Sequence, residues 1–98
     1  MSPPGSAKVL DASEVDSALA GTKWERRGSE ITTVHSGRDF ASSLAYVNAV
    51  GALAEEMNHH PDIDIRWNKV TLVLSTHSAG GITQADLELA RRIDLLSK

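Results

Sequence analysis

The chain has 98 residues, 41% hydrophobic and 23% charged, with a formal net charge of −3 and no cysteine. That is enough for one domain, and small enough that burying surface against another copy would help it. The lack of cysteine excludes disulfides, thiolate catalysis and Cys-based zinc sites, the scattered basic residues (paired only at Arg26-Arg27 and Arg91-Arg92) argue against a nucleic-acid surface, and no apolar run reaches the roughly 18 residues of a membrane span.

The opening MSPPGSAK lacks the charged-then-apolar pattern of a signal peptide. Pro3, Pro4 and Gly5 predict a short disordered lead over residues 1–9, followed by a single domain over 10–98. A cytoplasmic protein without membrane contact is the expectation.

Asp11 to Ala20 reads as the first helix. Asp11 can cap it, Glu14 stands at the capping-box position, and Leu10 and Val15 form a hydrophobic staple. Gly21 supplies the stop. Lys23 to Arg27 and Glu30 to His35 then read as two strands around Gly28-Ser29, with Trp24 and Ile31 in the core. His35 stands alone there, as a packed or surface residue.

Asp39 to Asn58 is the longest predicted helix. Phe40, Leu44, Val47, Gly51 and Ala54 share one stripe, and Tyr46, Val50, Leu53 and Met57 share the next. Ala41, Ala45, Ala49 and Ala52 cover much of the rest. So broad an apolar surface predicts packing on a sheet with one side and on a partner subunit with the other. Alanine's high helix propensity is the alternative explanation.

Asp62 to Trp67 alternates, with Ile63, Ile65 and Trp67 on one face, and Val70, Leu72 and Leu74 continue the pattern. A turn at Asn68-Lys69 would pair Trp67 with Val70, Ile65 with Leu72 and Ile63 with Leu74. Extended, that register sets His77 opposite His60. The last helix is predicted from Gln84 to Leu96, capped by Thr83, with Asp86 in the capping box and Ile82 stapled to Leu87. Gly80-Gly81 makes the turn before it. The order α-β-β-α-β-β-α predicts an α+β fold: a four-stranded antiparallel sheet with three helices on one face.

EEMNHHPDID, from Glu55 to Asp64, carries the chemistry. Pro61 forces the residue before it out of helical geometry, so the rings of His59 and His60 can fan into one space. Glu55 lies one turn before His59 and can hold a ring nitrogen. Imidazoles exchange protons near neutral pH, so three around one pocket suit acid–base chemistry. A metal is the competing reading, with three histidines, or two with Asp62 or Glu55, as ligands. Adjacent histidines share one ion poorly, however. The plainest alternative is a histidine pair that merely ends a helix.

Glu55, His59-His60-Pro61, Trp67, His77 and Asp86, at these intervals, resemble the pterin-4a-carbinolamine dehydratases. So do NKVTLVLSTH, ending in Ser75-Thr76-His77, and DLELARRID. The resemblance covers roughly residues 39–94. It implies removal of water from a 4a-hydroxytetrahydropterin to give the quinonoid dihydropterin, in support of tetrahydropterin recycling, with no metal and no organic cofactor. It further implies His59, His60 and His77 as catalytic groups, Glu55 and Asp86 in support, and Ser75, Thr76 and Pro61 against the pterin. Dimers or tetramers, here through the helix Asp39 to Asn58, are part of the same implication. Asp86 has an equal claim as a plain capping residue, and Trp67 is expected in the core. A non-catalytic interaction module of the same fold remains the alternative function.

Overall fold

The computed structural model describes residues 8–97, so the lead expected over residues 1–9 falls mostly outside the described residues. The elements are α1 (Ala12–Leu19), β1 (Glu25–Arg27), β2 (Glu30–Ser36), α2 (Phe40–Met57), β3 (Asp62–Arg66), β4 (Lys69–Leu74) and α3 (Gln84–Leu95). The four strands form one antiparallel sheet in the order β1-β2-β4-β3. The α+β order and sheet are those the sequence predicts.

Alternation builds the core. Val70, Leu72 and Leu74 of β4 and Ile31 of β2 are fully buried on one face of the sheet. They meet Val15 and Leu19 of α1, Val50 and Ala54 of α2, and Leu89, Ala90 and Ile93 of α3. Each large aliphatic side chain buried this way stabilises the fold by about 1.5–3 kcal/mol. Trp24 joins them, and its indole N–H donates to Asp94 Oδ1 at 2.8 Å, tying the start of β1 to α3.

All three helices begin where their caps stand. Asp11 and Thr83 head capping boxes with Glu14 and Asp86, and Asp39 accepts from the Ser42 N–H at 2.8 Å. On α2 only Ser43, Val50 and Ala54 are buried, while Phe40 and Leu44 remain 43% and 42% exposed. Part of the broad apolar surface predicted for this helix, at Phe40, Ala41, Leu44, Ala45 and Ala52, is therefore left exposed among the described residues.

The second hairpin differs from expectation in register. Arg66 pairs with Lys69, Ile65 with Val70 and Ile63 with Leu72, so the turn is Trp67-Asn68, one residue earlier than predicted. Trp67 itself takes the left-handed conformation, with φ 55°, and is 66% exposed rather than in the core. Asn68 is held away from that position. Its amide donates to the Gly37 carbonyl at 2.9 Å, and its own carbonyl accepts from the Gly37 N–H at 2.7 Å. These two bonds clamp the hairpin tip to the β2–α2 loop and outweigh the roughly 1–2 kcal/mol cost of a left-handed Trp.

Candidate active site

The end of α2 fans the two histidines apart. Asn58 closes the helix in the left-handed conformation (φ 50°, ψ 46°), and the His59 N–H returns to the Ala54 carbonyl at 3.0 Å. Asparagine tolerates this geometry better than other side-chain-bearing residues do. Pro61 then starts the extended run into β3. With the chain turned back, His59 reaches α3 and His60 reaches α2. His59 Nε2 lies 2.5 Å from Asp86 Oδ1, and His60 Nε2 lies 2.6 Å from Glu55 Oε2. Glu55 was expected to meet His59; the left-handed residue between them hands it to His60 instead.

His59 and His60 line a shallow cleft of about 280 Å3 with Asn58, Ser75, Thr76, His77 and Ser78. His77 reaches it by another route than the predicted one. The observed register, continued past β3 and β4, sets Ser75 opposite His60. His77 follows in the tight turn that leads to Gly80-Gly81. In that turn the Thr76 carbonyl accepts from the Ala79 N–H at 3.0 Å and the Gly80 N–H at 2.9 Å. The turn folds His77 back over the same cleft. Its side chain makes no hydrogen bond among the described residues, whereas His59 and His60 each hold a carboxylate.

The two hydroxyls of the Ser75-Thr76 pair are both engaged within the protein. Ser75 Oγ donates to the Ser29 carbonyl at 2.7 Å, in the first hairpin's turn. Thr76 Oγ1 lies 2.8 Å from Asp86 Oδ2 and 2.8 Å from Thr83 Oγ1, in a buried cluster. Asp86 is fully buried and also accepts from the Thr83 N–H at 2.9 Å. Thr83 is the residue that sequence reasoning passed over: it was read as a cap alone. The signal was its position three before Asp86, once Asp86 is given a second partner.

Among the described residues, no group of three His, Asp or Glu side chains is disposed to hold a metal ion. A larger depression, about 520 Å3, lies on the outer face of the sheet between Lys23, Glu25, Arg27, Glu30 and Thr71. It contains no imidazole, whereas the smaller cleft is lined by three. His35 lines a different depression, stacked on Tyr46 with ring centroids 3.7 Å apart and planes within 7°.

The class is thus a three-helix, four-strand α+β domain with three imidazoles around one cleft, two of them against carboxylates. The chain belongs to the pterin-4-alpha-carbinolamine dehydratase family, whose description, Pterin 4 alpha carbinolamine dehydratase, matches residues 8–96. It is 49% identical over 89 residues to a Roseiflexus castenholzii protein named "Putative pterin-4-alpha-carbinolamine dehydratase", covering 90% of this chain and 96% of that one. A Nocardia farcinica protein of the same name is 45% identical over 92 residues, covering 93% and 97%. Among solved structures, a transcriptional coactivator/pterin dehydratase from Brucella melitensis superposes with a TM-score of 0.87 at 28% identity, over 93% of this chain and all of that one. A pterin dehydratase-like protein described as a RuBisCO assembly factor in the alpha-carboxysome superposes with a TM-score of 0.66 at 25% identity, over 79% and 92%.

Proposed function

We propose that the protein dehydrates pterin-4a-carbinolamine to the quinonoid dihydropterin by histidine acid–base catalysis. The observation that carries the reading is the convergence of His59, His60 and His77 on one cleft, two of them backed by carboxylates. The chemistry requires one proton delivered to the departing C4a hydroxyl and one removed from a ring nitrogen. Water leaves, and no net proton is consumed. Imidazoles suit both transfers near neutral pH. Pro61 and the cleft wall at Ser75 would flank the pterin, while Glu55 and Asp86 orient rings. Tetrahydropterin recycling in the cytoplasm would be the setting.

A homo-oligomer through α2 belongs to the same proposal. Phe40 and Leu44, about two-fifths exposed on one stripe, are the side chains a partner would cover. Light scattering at increasing concentration, with Leu44→Asp as the control, tests it: the wild type should exceed monomer mass and the variant should shift toward it.

The test of function is the decay of carbinolamine generated by a pterin-dependent hydroxylase. Purified protein should accelerate it, and the double change His60→Ala, His77→Ala should remove most of the gain. Acceleration that survives the double change would move the site elsewhere. No acceleration by the wild type would favour the second reading, a non-catalytic interaction module; a pterin dehydratase-like protein of similar fold is described as a RuBisCO assembly factor.

A further inference from the structure

Two capping boxes stand among the described residues, and only one of them is used solely as a cap. In α1, Asp11 Oδ1 accepts from the Glu14 N–H at 2.8 Å, and Glu14 Oε1 accepts from the Asp11 N–H at 3.1 Å, all at the surface. A box needs one oxygen of its carboxylate. In α3, Asp86 meets that need with Oδ2, which accepts from the Thr83 N–H. It is nevertheless fully buried, accepts a second bond from Thr76, and turns Oδ1 to His59. Capping explains neither the burial nor the two extra partners.

The hydrogen order of this cluster follows from donor counting. A carboxylate only accepts, and each threonine hydroxyl has one hydrogen. Thr76 therefore gives its hydrogen to Asp86 Oδ2, and the 2.8 Å contact between the hydroxyls is Thr83 donating to Thr76. Thr83 Oγ1 in turn accepts from the Ala85 N–H at 3.3 Å. At the other end, the Nε2 of His59 must carry the hydrogen that meets Oδ1. The ring's Nδ1 is then its free nitrogen. The cluster is dry: Thr76 is 6% exposed, Thr83 2% and Asp86 0%. In such surroundings each bond is strengthened, and a missing donor is costly.

We propose that Thr76, relayed through Asp86, is a positioning residue that fixes the tautomer and seat of His59, and that its hydroxyl does not bind the ligand. The inference rests on the proposed use of the cleft for proton transfer. Its backbone is equally committed, since the Thr76 N–H donates to the Gly81 carbonyl at 2.9 Å. A Cβ on Gly81 would fall 2.8 Å from Val9 Cγ1, so this position also packs against the chain entering α1. Gly80, at φ 83°, lets the chain turn so that the Gly81 carbonyl meets the Thr76 N–H. Around His59, the groups that bear on its ring are Asp86 from α3, the neighbouring His60 with its Glu55, and His77 across the cleft.

The test is nitrogen-15 NMR of the imidazoles in the wild type, Thr76→Val and Thr76→Ser, read beside kinetics on carbinolamine. In the wild type, neutral His59 should be the Nε2–H tautomer, its proton exchanging slowly with water. Thr76→Val should speed that exchange at least about tenfold, equivalent to about 1.4 kcal/mol, and Thr76→Ser should restore it. The His60 and His77 signals should not move. Turnover should fall about tenfold in Thr76→Val with KM within about twofold. A wild-type His59 carrying its proton on Nδ1 overturns the proposal without any variant, so a Thr76→Val protein that fails to fold does not protect it. Unchanged exchange in a folded Thr76→Val, or a raised KM with kcat intact, overturns it as well. A wild type with no dehydratase activity would sink the functional reading and leave the NMR result standing.

Discussion

His59 and His60 are sequence neighbours, and each ring nitrogen sits on a carboxylate oxygen at nearly the same distance, 2.5 Å and 2.6 Å. Their settings differ. The His59 and Asp86 side chains are 15% and 0% exposed, whereas those of His60 and Glu55 are 55% and 78% exposed. The first pair is held by a capped helix, two threonines and the core. The second has two flexible side chains in water. Distance alone would rank them as equals. Solvent decides otherwise, because an exposed ion pair is screened and loses side-chain entropy to form, while breaking a buried one leaves polar groups with nowhere to turn.

Asp86→Asn should give the largest effect and the sharpest form of the comparison. The amide offers one acceptor oxygen where the carboxylate offers two, so at least one of its present donors loses its partner. Stability should drop by about 2–3 kcal/mol in urea denaturation. Carbinolamine dehydration should fall on the order of 100-fold, the scale of losing a held proton-transfer group. A loss of less than threefold would show that His59 does not depend on its carboxylate.

Glu14→Ala comes next and isolates the cap. Glu14 holds in α1 the place that Asp86 holds in α3, with no imidazole attached. Its removal should cost about 0.5–1 kcal/mol and leave dehydration unchanged. If Glu14→Ala and Asp86→Asn destabilised equally, the extra partners of Asp86 would contribute nothing. Smaller again is Glu55→Gln, expected to change stability by no more than about 0.5 kcal/mol. Activity should stay within about threefold, with any residual effect fading in high salt.

Much of this was legible in the sequence, for local reasons. Caps, glycine stops and the Pro61 break act within four residues, so Asp11 and Thr83 mark helix starts without knowledge of the fold. The second hairpin's register was not legible. Side chains on a strand repeat every two residues, so slipping Ile63, Ile65 and Val70, Leu72, Leu74 by two still sets apolar against apolar. The clamp between Asn68 and Gly37 chooses between the registers, and it joins positions 31 residues apart. The candidate site shows the same division. The turning of His59 and His60 at Pro61 was readable from the sequence, and the register expected to bring His77 opposite His60 was not the observed one; Glu55's choice of His60 over His59 and the inward turn of Thr76 were not readable. Both depend on where the left-handed Asn58 and the Gly80-Gly81 turn send the chain in space.

His35 extends the comparison to an imidazole with no carboxylate at all. Burial against Tyr46, and then the nearby Lys23 charge, hold its pKa below the ordinary histidine value. The folded protein therefore favours the neutral ring, and the unfolded chain takes up the proton first as pH falls. The sign is fixed by that order: stability is greatest above the ordinary histidine pKa and declines as pH drops from there through the depressed value. Thermal unfolding between pH 8 and pH 5 should show this decline, and His35→Phe, which keeps the stack on Tyr46 and cannot titrate, should flatten part of it. A His35→Phe protein whose unfolding temperature fell with acid as steeply as the wild type's would place the pH sensitivity elsewhere.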